Sequence, residues 1–192
     1  ALMPLAAMSA PGTPPAPPPD APLFAGMRPY HPPAGTSSAL AQRYFEQGMT
    51  LAWGFNPGEA ARSFAAATRA DPNCAACYWA LAWARGPNIN TDMDADAAVE
   101  VAAALQRAQA LSAGAPTRYR GLIAALAARH PGPAVPIDEE AYALKLRALA
   151  QRHPRDAEIA TLAAEAELNL HPYDWWNDDG TAKPWTMTAT DL

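Results

Sequence analysis

Residues 41–74 read AQRYFEQGMTLAWGFNPGEAARSFAAATRADPNC. Apolar residues recur in this stretch every three or four positions, which is the spacing of one face of an α-helix. Two proline-containing breaks, at residues 56–58 and 71–73, divide the stretch and end it. The stretch therefore predicts two helices that form one hairpin.

The sizes of several side chains in this hairpin suit close packing of its two helices. Gly48 and Ala60 are small enough to let the two helices approach closely. Leu51 and Phe64 would fill the space between the helices, and Pro72 ends the second helix. We therefore expect a closely packed unit.

The pattern returns after 34 residues, since Tyr44 corresponds to Tyr78 and Gly48 to Ala82. Looser copies follow up to about Leu170, each with an insertion within the hairpin. Further breaks that contain proline lie at residues 86–88, 114–116, 130–132 and 153–154. Together the breaks predict about seven helices paired as hairpins, and no run of alternating residues predicts a sheet.

This repeat resembles the tetratricopeptide repeat (TPR). A TPR has an aromatic, a small and a large residue at fixed positions in its first helix, and Ala, an aromatic residue, Ala and Pro at fixed positions in its second. The matching residues are Tyr44, Gly48, Leu51, Ala60, Phe64, Ala67 and Pro72. The stretches FNPGEAARSF, CAACYW, GPNIN and DWWNDDG also resemble a bacterial subgroup of TPR proteins. The resemblance implies an all-α fold, a right-handed superhelical solenoid of TPR-like hairpins over residues 37–170.

In TPR proteins the first helices of successive hairpins line a groove that binds extended segments of partner proteins. The resemblance implies such a groove here, with aromatic and apolar walls that suit Pro-rich or apolar segments. Its residues would be Phe45, Met49, Trp53, Trp79 and Trp83. The alternative is that neighbouring hairpins, or the protein's own N-terminal arm, cover these side chains.

That arm is residues 1–36, where prolines occur at about every third position from Pro4 to Pro33. Such a sequence forms neither a helix nor a central strand and favours an extended chain. The arm is either a flexible linker or a segment that lies in an apolar groove. The apolar side chains that favour the second reading are Leu23, Phe24, Met27 and Tyr30.

Composition excludes several classes of partner. The 192 residues carry a net charge of −5, from 14 Lys and Arg against 19 Asp and Glu, without a dense basic run that would indicate nucleic-acid binding. No stretch reaches the roughly 20 apolar residues that membrane insertion requires. Because the sequence begins with Ala1, we expect a periplasmic or secreted protein after removal of a signal peptide, with a trimmed cytosolic fragment as the alternative.

Cys74 and Cys77 are the two cysteines, and they lie at the N-terminus of the predicted first helix of the second hairpin. A structural disulfide or packed thiols, a soft-metal site with copper(I) as the best-suited metal, and thiol redox chemistry all fit this spacing. Tyr78 stands where covalent haem attachment requires His, and two cysteines alone do not complete a zinc site.

Oxygen-bearing side chains alternate in the insertion that follows the first helix of the second repeat, as they do early in calcium loops. These residues are Asn88, Asn90, Asp92 and Asp94. The glycine of the sharp turn and the terminal glutamate of such loops are missing, so turn and helix-cap chemistry is the alternative reading. No Ser/His/Asp set, phosphate loop or paired carboxylates can be assembled, so we expect no enzyme activity and no cofactor.

The predicted function is a non-enzymatic scaffold that binds a partner protein through an extended Pro-rich or apolar segment, as an accessory subunit of an envelope complex. Substitution of Trp79 and Trp83 is then expected to weaken partner binding without unfolding the chain. The alternative is a copper-binding or thiol redox accessory protein built on Cys74 and Cys77. Residues 171–192 are predicted as a Trp-rich turn and tail, with continuation in a longer native chain as an alternative.

Overall fold

The computed structural model describes residues 21–27, 30–132 and 135–192. All regular secondary structure in this part of the chain is helical, which confirms the predicted all-α class. Seven helices of 11 to 17 residues precede a short eighth helix. Their bounds are α1 (Ala39–Trp53), α2 (Pro57–Ala70), α3 (Ala75–Arg85), α4 (Ala95–Leu111), α5 (Thr117–Arg129), α6 (Glu139–Arg152), α7 (Ala157–Asn169) and α8 (Pro184–Thr190).

The C-terminal ends of α1 to α7 fall at or next to the predicted breaks, whereas α4 and α6 begin several residues beyond theirs, after the insertions. Asn56 accepts a hydrogen bond from the Glu59 amide, and Pro57 begins α2, where its missing amide hydrogen costs nothing. Side chains cap α1, α3, α4, α6 and α7 in the same manner. The residues that cap those helices are Ser38, Cys74, Asp94, Asp138 and Asp156.

Each helix packs against the next helix in sequence, and α1 and α5 both contact α3. This is a helical repeat-like arrangement, in which each hairpin rests on its neighbours. In the first hairpin Phe45 and Phe64 pack with ring centroids 5.7 Å apart. Tyr119 of α5 meets Phe45 edge-on at 6.0 Å, so one core joins α1, α2 and α5.

The described part of the N-terminal arm, residues 21–27 and 30–36, lies against α1 and has no regular secondary structure. Residues 1–20, with most of the predicted proline pattern, lie outside the described residues. Thr36 donates a hydrogen bond to Asp71, which ties the end of the arm to the C-terminus of α2. The arm is therefore attached to the first hairpin at several points.

The tail contains a helix that the sequence analysis did not predict, because α8 is short and has no side-chain cap. It packs against α7. The Trp175 indole donates to the Leu168 carbonyl at 3.1 Å, and Thr186 donates to the Trp175 carbonyl at 2.6 Å. Trp175 therefore joins the tail to the end of α7.

Candidate binding surface on the first helix

Gln47 of α1 holds the first part of the arm by its backbone. Its side-chain oxygen accepts from the Phe24 amide at 2.7 Å, and its side-chain nitrogen donates to the Pro22 carbonyl at 2.9 Å. The nitrogen also donates to Ser63 of α2 at 3.0 Å. Gln47 is only 6% exposed, so these bonds satisfy a buried amide that would otherwise destabilise the fold.

Gln42, five residues earlier on α1, holds the second part of the arm in the same way. It donates to the Pro32 carbonyl at 2.7 Å and accepts from the Ala34 amide at 3.0 Å. Its nitrogen also lies 3.0 Å from Glu46. Two glutamines on one helix therefore each bind a proline carbonyl and the amide two residues further along.

Two more side chains of α1 contact the arm. Tyr44 donates to the Ala21 carbonyl at 3.0 Å, and Glu46 lies 3.1 Å from Nδ1 of His31. The side chain of His31 is 67% exposed, so this pair adds little to stability. We call the surface formed by Gln42, Tyr44, Glu46 and Gln47 the arm-binding face.

Tyr30 of the arm lies near a polar cluster contributed by α5 and α7. Arg118 Nη2 is 2.6 Å from Glu158, and its Nε is 3.4 Å from Asp156. Burial raises the pKa of the Tyr30 hydroxyl to about 12, and the negative charge of Glu158 adds to the rise. Burial likewise raises the pKa of the Tyr119 hydroxyl.

Three of the five residues predicted to line a partner groove are core residues instead. Phe45 and Met49 are 0% exposed and Trp79 is 1% exposed, so they cannot contact a partner in this conformation. The cause is α5, whose Tyr119 ring lies against both Phe45 and Trp79. Trp53 and Trp83 are half-buried and pack on each other with centroids 5.4 Å apart.

Cys74 and Cys77 form a disulfide. Their residues are 2% and 0% exposed, and the Cys74 sulfur accepts a hydrogen bond from the Cys77 amide at the start of α3. Of the alternatives that the sequence left open for this pair, the structure shows the disulfide. Thiol exchange and soft-metal binding both require an accessible thiolate, which the buried, oxidised pair does not offer.

The double substitution Cys74→Ser with Cys77→Ala is expected to lower the free energy of unfolding by about 2 kcal/mol, because a cross-link that closes a short loop restricts the unfolded chain. Serine at position 74 keeps an oxygen that can cap α3. Urea unfolding followed by circular dichroism measures the change. A variant as stable as the oxidised parent protein would show that the disulfide does not support the fold.

The insertion that was predicted as a weak cation loop has turn and cap functions. Asn88 accepts from the Asn90 amide at 2.8 Å, and Asp94 caps α4 by accepting from the Ala97 amide at 2.7 Å. Asn90 also accepts a hydrogen bond from Tyr173 at 2.8 Å, while Asp92 is exposed. In the described ranges no three His, Cys, Asp or Glu side chains are grouped so that they could hold a metal ion.

The sequence analysis missed Gln42 and Gln47, which do most of the binding. Glutamine is common on exposed helix faces, and its spacing does not distinguish a solvated residue from one that binds a distant backbone. The sequence offered one indirect signal that Gln47 is buried. Gln47 lies one position before Gly48, on the side of α1 that approaches α2.

We compared the chain with models of protein families, with curated proteins and with solved structures, and none of them matched significantly. No helix in the described part of the chain is long and apolar enough to cross a membrane. The candidate function is therefore argued from the geometry of the arm-binding face.

Proposed function

We propose that the protein is a non-enzymatic scaffold, a TPR-like right-handed solenoid of helix hairpins that binds an extended, Pro-containing segment of a partner protein. The observation that supports this function is the pair of glutamines on α1. Each binds extended backbone through a carbonyl and an amide without requiring a particular side chain. Export and service as an accessory subunit of an envelope complex belong to the same proposal.

Backbone recognition suits this role for a physical reason. In an extended chain the carbonyl of one residue and the amide two residues later point to the same side, so one carboxamide can bind both. Proline provides the carbonyl but has no amide of its own, and its fixed φ lowers the entropy lost when the segment binds. Pro-containing segments are therefore the class of ligand that this surface fits best.

The test is native mass spectrometry of the protein purified gently from cells that produce it, alongside the variant Gln47→Met. Methionine keeps the volume of the side chain and removes both hydrogen bonds to an extended segment. We expect a stoichiometric protein partner with the unaltered chain and at least about a tenfold loss of that complex with the variant.

Gln106→Met is the matched control, because Gln106 of α4 is exposed. This variant should retain the partner at the level of the unaltered protein. A partner that Gln47→Met and Gln106→Met retain equally would place the contact elsewhere and remove α1 from the proposal. A protein with no partner at all would contradict the scaffold function itself.

A further inference from the structure

The small side chains of the arm at Ala21, Pro32 and Ala34 are buried, but its aromatic side chains are not. Phe24 is 46% exposed and Tyr30 is 37% exposed, although they are the largest side chains of its described part. Most of the polar contacts with α1 are made by the backbone of the arm instead. Because apolar burial is the main source of binding energy, an arm that leaves its aromatic side chains partly in solvent uses only part of the binding energy that these side chains could provide.

The fit between the arm and α1 is also incomplete. A cleft of about 210 Å³ remains between them. It is lined on the arm by Leu23, Phe24, Met27, Tyr30 and His31, and on α1 by Arg43, Glu46, Gln47 and Thr50. Apolar side chains that filled this cleft would remove its apolar lining from water, so a segment that carried them would bind more tightly than the arm does.

Polar groups near Tyr30 keep unused hydrogen-bonding capacity. The hydroxyl of Tyr119 and Oε1 of Glu158 are buried, and neither has a hydrogen-bond partner within the part of the chain that the structure describes. Buried polar atoms without partners raise the free energy of the state that contains them. The conformation with the arm bound is therefore not the best that this surface can reach.

The two glutamine contacts define what a better ligand must contain. Gln47 binds the carbonyl of Pro22 and the amide at position 24, and Gln42 binds the carbonyl of Pro32 and the amide at position 34. The same pattern therefore occurs twice in the arm, at prolines whose numbers differ by ten. A ligand would need both backbone pairs and a large apolar side chain between them.

From these observations we infer that residues 21–27 and 30–36 are a built-in, displaceable occupant of the arm-binding face, and that the partner segment presents the same pair of proline-based backbone contacts with larger apolar side chains in the cleft. This inference rests on the proposed function and adds the sequence class of the partner. The arm acts as a competitor: a partner binds with an affinity reduced by the fraction of molecules whose arm is bound.

The test uses a fluorescein-labelled synthetic peptide with the sequence of residues 21–36, titrated by fluorescence polarisation into the full chain and into the full-chain variant F24P/Y30A. Phe24→Pro removes the amide that Gln47 accepts from, and Tyr30→Ala removes a ring that lines the cleft and a hydroxyl that interacts with Glu158. Neither change touches α1. We expect the peptide to bind the variant at least about tenfold more tightly than the unaltered chain.

Two controls make the result specific. Adding Gln47→Met to F24P/Y30A should abolish the gain, and a peptide that carries Phe24→Pro should bind at least about tenfold more weakly than the original peptide. Circular dichroism melts establish that each variant is folded. Tyr30→Ala alone, at a site 37% exposed, provides a second arm variant if the double substitution fails to fold.

Equal affinity of the peptide for the unaltered chain and for F24P/Y30A would overturn the inference that the arm competes, and the proposed scaffold function would remain. Absence of binding to either protein would also overturn it. The proposed scaffold function is tested separately, by whether Gln47→Met loses the partner in native mass spectrometry. Failure of the competition inference can therefore be distinguished from failure of the proposed function.

Discussion

Replacing Trp79 by alanine is expected to lower the free energy of unfolding by about 3–5 kcal/mol, the range for removal of a large aromatic side chain from a core. Trp79 is 1% exposed and is stacked on Trp83 with ring centroids 5.7 Å apart. It also lies 5.7 Å from Tyr119, so the substitution leaves a cavity between α3 and α5. Urea unfolding followed by circular dichroism measures the loss.

Trp53→Ala is the matched control, because Trp53 belongs to the same aromatic cluster but is half-buried. We expect it to cost about 1–2 kcal/mol, since only the buried part of its surface returns to water. A Trp79→Ala variant that unfolds at the same urea concentration as the parent protein would contradict the placement of Trp79 in the core. It would also restore the expectation from sequence that this substitution affects binding alone.

Trp79 was predicted to line a partner groove but is a core residue, and its burial could not be predicted from the sequence. Helical spacing correctly places Phe45, Met49 and Trp53 along α1, and Trp79 and Trp83 along α3. Spacing does not say which element packs on those residues. That depended on Tyr119 of α5, a residue of another hairpin that packs against Phe45 and Trp79, and the lengths of the insertions within the hairpins have no simple relation to such docking.

Helix boundaries were predictable because their causes are local. Proline disfavours helical backbone in the preceding residue, and a cap residue such as Asn56 or Asp156 lies beside or close to the proline, so a short window of sequence contains most of the signal. The contacts of Gln47 with Pro22 and Phe24 span more than 20 residues along the chain. Helical periodicity contains no information about a contact between residues so far apart in sequence. The contact becomes evident only from the position of the arm against α1 in the structure.

Replacing Gly48 by alanine is expected to lower the free energy of unfolding by about 1–3 kcal/mol through overpacking. A methyl group at this position would lie 2.4 Å from Cε1 of Phe64 and 2.6 Å from Cδ1. Phe64 cannot yield easily, because it is fully buried and packs against Phe45. The helices α1 and α2 would have to separate. Thermal and urea unfolding of the variant measure the effect.

Gly58→Ala separates this packing effect from helix propensity. Alanine is the better helix former by about 1 kcal/mol at interior positions, so propensity alone favours both substitutions. A methyl group at Gly58, near the start of α2, meets no atom within 4 Å. We therefore expect Gly58→Ala to leave stability unchanged or raise it slightly, while Gly48→Ala lowers it. If both variants were stabilised, α1 and α2 would not be in the close contact that the first hairpin requires. The hydrogen bond from Gln47 of α1 to Ser63 of α2, which helps to position Gln47 for the arm, would then also be in doubt.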